Sequence, residues 1–150
     1  MGIKLAFNYE KSTEEISKLK GIDEQRLLEP IKEGKWSVKE IIGHLYYWDK
    51  FILEQHVPNM AEGAKLIAFP DHDLHNKEAI QYIGSYITVE SLIDDLIQER
   101  KQLIETISGV ESTVKFTIGT GKRQFTVEKH LKIFIDHDIH HLKQIEERLN

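Results

Sequence analysis

Apolar residues recur at three- and four-residue steps in four separate stretches of this 150-residue chain, and that period points to amphipathic helices. The first stretch runs from Ser12 to Glu29, with Ile16, Leu19, Leu27 and Leu28 facing inward and Gly21 marking a break or kink. The second begins at Ser37, where Ser37-Val38-Lys39-Glu40 reads as a capping box. Its apolar positions are Val38, Ile41, Ile42, Leu45, Trp48 and Ile52, and Pro58 ends it. The third spans Thr88 to Ile107, with Leu92, Ile93, Leu96, Ile97, Leu103 and Ile104 inward and Gly109 as its stop. The fourth starts near Thr126 and continues to the C-terminus through Leu131, Phe134, Ile135, Leu142, Ile145 and Leu149.

Two connections carry their own signals. Val114 to Ile118 and Arg123 to Phe125 flank Gly119-Thr120-Gly121-Lys122, which predicts a small hairpin before the fourth helix. From Val57 to Ile87 the pattern is irregular and rich in Asn, Asp, His and Gly, as expected of a crossover or functional loop. Four amphipathic helices with one long connection between the second and third predict an all-α four-helix bundle, a single domain over residues 1–150.

Composition removes several function classes. Lys plus Arg number 20 and Asp plus Glu 25, a formal net charge of −5, which disfavours nucleic acid as a partner. No apolar run approaches the roughly 18 residues of a membrane span. The opening Met-Gly-Ile-Lys-Leu-Ala lacks a signal-peptide core, and Ala6 stands where myristoylation wants Ser or Thr. A cytoplasmic protein acting on a small molecule is the expectation. With no Cys, disulfides, Cys-ligated zinc, iron–sulfur clusters and cysteine nucleophiles are all excluded. Eight His is the unusual count.

The strongest constellation is His137-Asp138-Ile139-His140-His141 in the fourth helix. Residues four apart share a face about 6 Å apart along the axis, so His137 and His141 can chelate one ion. On a wheel of roughly 100° per residue with Phe134 at zero, His141 falls about 20° away and His137 about 60°. His140 falls about 120° away, toward the polar side, so it is the poorer partner. A solvated helix edge is the plainer reading of such a pair. His130 lies two turns earlier, roughly 10 Å from His137, and reads as structural or exposed.

His44 is the candidate third ligand. It sits on the shoulder of the second helix's apolar face, where a lone His beside aromatics is commonly a satisfied core residue. Three imidazoles plus an open position nonetheless form a familiar catalytic metal arrangement. Asp138 projects near the middle of the apolar arc and needs a partner there. It would suit a carboxylate orienting a ligand His, and a salt bridge to Lys or Arg serves equally well. Asp71-His72-Asp73-Leu74-His75 reads as a polar loop, and His56 has no assignment.

Trp36-Ser37-Val38-Lys39-Glu40-Ile41-Ile42-Gly43-His44-Leu45 resembles the W-S-x-x-E-x-x-x-H-L signature of the DinB-like (YfiT-like) metalloenzyme family. His137 to Ile145 resembles that family's H-D/E-x-x-H-x-x-Q-I/L segment, and Thr88-Val89-Glu90-Ser91-Leu92 after Asn76 fits its layout. The resemblance covers essentially the whole chain. It implies an up-down-down-up bundle, frequently a homodimer, with nickel or zinc held by His44, His137 and His141. Relatives include S-transferases that use bacillithiol or mycothiol, and a mycothiol-dependent maleylpyruvate isomerase. The family name does not imply DNA binding.

Three neutral imidazoles leave a divalent ion its full charge, enough to activate a bound water or a coordinating thiol. In a chain without Cys the thiol would arrive as a low-molecular-weight cosubstrate. Transfer of that thiol to a small electrophile is the leading expectation. Hydrolysis by a metal-bound hydroxide and a non-catalytic metal-binding bundle are the alternatives. No general base is singled out.

Overall fold

The computed structural model describes residues 3–149, with side chains from residue 9 onward. The first two residues, where the myristoylation reading begins, and Asn150 lie outside the described residues. The helices are α1 (Ile3–Ser17), α2 (Glu24–Leu28), α3 (Val38–Phe51), α4 (His72–Ile83), α5 (Val89–Ser108) and α6 (Val127–Leu149). Strands β1 (Lys65–Leu66) and β2 (Thr117–Ile118) form a minimal sheet. Among the described residues no helix is long and apolar enough to cross a membrane.

Local chemistry sets the ends. The capping box forms as expected: Glu40 N donates to Ser37 Oγ at 3.1 Å, and Ser37 N donates to Glu40 Oε1 at 3.0 Å. Two orphan amides are thereby satisfied at the start of α3. Thr88 caps α5 by accepting from Ser91 N, and Gly109 closes that helix. Beyond Phe51 the α3 ladder loosens into a π turn at Ile52–His56, and Pro58 sits in the 3-10 turn that follows.

Helices α1, α3, α5 and α6 form the bundle around a core in two parts. One part gathers Ile16, Ile41, Leu45, Leu92, Leu96 and Ile145; the other gathers Tyr9, Trp48, Leu103, Leu131, Phe134 and Ile135. Reading each helix through the two parts gives its direction. Helices α3 and α5 run from the first part to the second, and α1 and α6 run the opposite way. This is the up-down-down-up arrangement. Each fully buried Leu or Ile contributes about 1.5–3 kcal/mol.

A charged layer separates the two parts, and each bundle helix supplies one member. Arg100 of α5 is 1% exposed; its Nε donates to Asp49 Oδ2 of α3 at 2.7 Å and its Nη1 to Asp138 Oδ2 of α6 at 2.5 Å. Tyr9 of α1 donates its hydroxyl to Asp49 Oδ1 at 3.1 Å and lays its ring 4.0 Å from the guanidinium carbon. Burial works against the Arg100 charge. The Asp138 and Asp49 carboxylates more than offset it, so its pKa stays above the ordinary guanidinium value.

Several expectations need correction. The first helix begins earlier and stops at Ser17; a 3-10 turn at Lys18–Gly21 follows, and Asp23 caps the separate α2. Leu28, expected inside, is 46% exposed because α2 ends there. The connection from Val57 to Ile87 contains α4, capped by Asp71, whose side chain accepts from Leu74 N at 3.0 Å. The polar loop reading of residues 71–75 is thus replaced by a helix start.

The expected hairpin reduces to one antiparallel bridge between Phe116 and Phe125. Strand β2 pairs instead in parallel with β1, Lys65 with Thr117 and Leu66 with Ile118. At φ 62° Gly119 turns the chain back so that its amide donates to Leu66 O at 2.8 Å. A Cβ there would lie 3.0 Å from the Ala68 Cβ, which favours glycine.

Candidate metal centre

His44 projects from α3, and His137 and His141 project from adjacent turns of α6. Their Nε2 atoms converge: His44 to His137 at 2.8 Å, and His141 to His137 at 3.1 Å. One ligand atom from each lies within 4.8 Å of the others, and this is the group of potential ligands that assembles among the described residues. His140 is exposed, as the wheel predicts. The Trp36 ring lies 5.0 Å from the His44 ring.

The outer nitrogens are fixed. His44 Nδ1 meets Asn76 Oδ1 at 2.9 Å, and His141 Nδ1 meets Gln144 Oε1 at 2.8 Å. An amide oxygen only accepts, so each Nδ1 carries the proton and each Nε2 presents a lone pair. His137 Nε2 holds at most one proton and cannot donate to both neighbours. At least one close nitrogen pair therefore faces lone pair to lone pair, which a shared cation resolves. Imidazole nitrogens bound to zinc at ~2 Å sit ~3 Å apart, close to the separations seen. The donor set fits a divalent ion.

Electrostatics keep these rings neutral. Burial first, and then the neighbouring imidazoles, bring His137 down to about 3. Burial and His141 bring His44 down to about 4, with the Asn76 hydrogen bond opposing. His141 is lowered mainly by burial. Metal ligands must be unprotonated, so the environment favours that role across the neutral range.

Asp138 does not orient a ligand histidine. Its carboxylate takes the Arg100 guanidinium through two hydrogen bonds, at 2.5 and 3.2 Å. The salt-bridge alternative is the one realised, because the side chain lies in the interhelical layer where Arg100 waits. The orienting acceptors are Asn76 and Gln144. Gln144 is three residues from His141 on one helix, a spacing readable in sequence. Asn76 is delivered by α4, which packs on α3 where Gly43 removes a side chain: a Cβ there would meet Ile83 Cγ2 at 2.5 Å.

A recess of about 410 Å³ adjoins the cluster, lined by His44, Trp48, Phe69, Asn76, Phe134 and His137 among others. Its walls are chiefly aromatic and apolar, as small-molecule sites commonly are. A larger groove of about 810 Å³ between α1 and α5 includes Thr13, Ile97 and Arg100 but none of the three histidines.

Of the remaining histidines, His72 and His140 line the recess beside the cluster. His56 and His130 form a buried pair, with His56 Nδ1 to His130 Nε2 at 2.9 Å and His56 Nε2 to Ile67 O at 2.8 Å. His130 is thus structural, and His56 joins it. His75 is buried with its ring 4.1 Å from that of Trp48.

Comparison with known proteins adds family and fold. A family model described as the DinB superfamily matches residues 8–145. Among solved structures, the chain is similar to YfiT from Bacillus subtilis, described as a probable metal-dependent hydrolase with an unusual four-helix bundle topology. The TM-score is 0.68 and the identity 16%, over 97% of this chain and 83% of that one. No curated protein matches.

Proposed function

The chain belongs to the DinB superfamily, and on that premise we propose that it is a metal-dependent enzyme that joins a low-molecular-weight thiol to a small electrophile. The observation that carries this reading is the convergence of three Nε2 atoms whose tautomers cannot satisfy one another. His44, His137 and His141 would hold nickel or zinc. Held by three neutral imidazoles, such an ion would supply an undiminished positive charge that lowers the pKa of a thiol or water beside it.

The chain's own groups do the rest. Asn76 and Gln144 hold His44 and His141 with their lone pairs inward. Trp48, Phe69 and Phe134 offer an apolar wall for the electrophile and exclude water from it. With no Cys in the chain, the thiol must come from a cosubstrate. In a substitution the thiol proton passes to solvent, a sulfur–carbon bond forms, and the leaving group departs with its electron pair.

Hydrolysis at the same histidines is a second reading, favoured by the description of YfiT. One comparison separates the two. Nickel- or zinc-loaded protein is assayed with cysteine and an activated aryl halide, and separately with an activated ester and no thiol. Thiol consumption that needs the metal and disappears in His141→Ala supports transfer. Transfer that persists in His141→Ala overturns it, and ester turnover without thiol favours hydrolysis.

A further inference from the structure

A second recess, of about 450 Å³, meets the histidine cluster through two residues. Its lining includes Lys32, Lys35, His140, Lys143, Gln144 and Arg148, with Glu147 as its one acidic member among the lining residues. Gln144 is the residue that fixes His141. His140 also lines the aromatic recess beside His44 and His137. The two recesses therefore share a wall at the site.

The charge of this recess runs against that of the molecule, whose formal net charge is −5. Arg148 is partly neutralised by Glu29 at 3.0 Å. Lys32, Lys35 and Lys143 form no ion pair among the described residues. Their placement is built into the fold. Lys32 and Lys35 ride on a tight turn closed by Ile31 N to Trp36 O at 2.8 Å and Lys35 N to Lys32 O at 2.9 Å, with Gly34 at φ 76°. The same turn sets Trp36 against His44. Lys143 stands on α6 two residues after His141, next to Gln144 and one turn before Glu147 and Arg148.

We propose that the small molecule handled at the histidine cluster carries an anionic group, a carboxylate or a phosphate, and that Lys32, Lys35 and Lys143 receive it. The assignment rests on the metal-enzyme reading above and narrows its substrate class. Ammonium groups act as point charges without a fixed fork, so they accept either anion. The remainder of the molecule passes His140 toward the three histidines.

Succinate, glycerol phosphate and neutral glycerol are titrated calorimetrically into the wild type and into Lys35→Glu/Lys143→Glu, each with and without nickel. Both lysines are exposed, so circular dichroism of the variant should match the wild type. The expected result is anion binding with or without nickel, weakened about tenfold or more in the variant. Salt at ~0.5 M should weaken it too, and glycerol should not bind. The tighter of the two anions identifies the group. Failure of both anions to bind, or equal binding by the variant, overturns the inference. Nickel uptake measured in the same samples separates the two claims. Uptake without anion binding removes only this inference; anion binding without uptake removes the metal reading, and the substrate assignment with it.

Discussion

His44 Nε2 and His137 Nε2, 93 residues apart in sequence, face each other at 2.8 Å from two different helices. Helix α3 delivers one ring and α6 the other, so the pair exists only in the folded bundle. Nickel or zinc should therefore bind the folded protein in a stoichiometric amount and stabilise it against heat. At a hundredfold excess over Kd the gain is about 2.7 kcal/mol. Elemental analysis and thermal melts check this, and both the metal and the added stability should be lost in His44→Ala and in His141→Ala.

Asn76 and Gln144 decide which nitrogen of each ring is free. Asn76→Ala or Gln144→Ala should lower metal affinity about 10- to 100-fold while leaving the fold intact. Asn76→Asp keeps an acceptor oxygen and should recover most of the loss. Competition with a chromogenic chelator measures the affinities, and unchanged values in both alanine variants would remove the orienting role.

Gly43→Ala should act at a distance from its own small volume. The added Cβ would meet Ile83 Cγ2 at 2.5 Å and Cδ1 at 2.8 Å, forcing α4 away from α3 and taking Asn76 with it. The expected cost is about 1–3 kcal/mol, together with weaker metal binding. In the Ile83→Ala background the same substitution should cost less, which a denaturation double-mutant cycle measures.

His130 ties stability to pH. Burial, and then the His56 ring, hold it at about 3 against an ordinary 6.5. Below pH 6.5 the unfolded chain takes up a proton that the folded chain does not, so stability falls as pH drops from about 6.5 to about 3. The loss approaches about 1.4 kcal/mol per pH unit for this group in the middle of that window. His130→Gln keeps a donor for His56 but does not titrate. Urea unfolding between neutral pH and mild acid should show a shallower decline in the variant; an equal decline would refute the assignment.

Arg100→Met strands two buried carboxylates. It should destabilise the bundle by about 3–5 kcal/mol in chemical denaturation. Replacing Asp49 and Asp138 by Leu in the same chain should return most of that loss, because apolar side chains of similar volume fill the layer without a charge penalty.

Periodicity exposed α3, α5 and α6 because their buried positions are apolar and evenly stepped. Helix α4 escaped it: its buried residues are His75, Ala79 and Ile83, and one of these is polar. The β1–β2 pairing joins two-residue segments through backbone groups, which leaves little side-chain pattern to read. At the site, wheel angles separate His141 from His140 and put His44 on the shoulder of its helix as the third candidate, and the motif resemblance points to the same three residues. Arg100 carries a signal of its own, a charge standing between Leu96 and Leu103 on the inward stripe. Its partners could not be named without the packing of α5 with α3 and α6. Asn76 and the lysine recess likewise arise from chain segments brought together only by tertiary structure.

Leucine and isoleucine ridges tolerate many neighbours, so an apolar bundle can slide or swap helices at little cost. The Tyr9–Asp49–Arg100–Asp138 layer does not share that tolerance. A one-turn slip displaces a side chain by about 5.4 Å, enough to part a guanidinium from its carboxylate and leave each charge alone in hydrocarbon. Misaligned bundles would bear that penalty, whereas the native one avoids it at the level of the chain where α3 and α6 must also bring their histidines into line. The layer works as an alignment mark: one wrong step in assembly is penalised before the ligands ever meet.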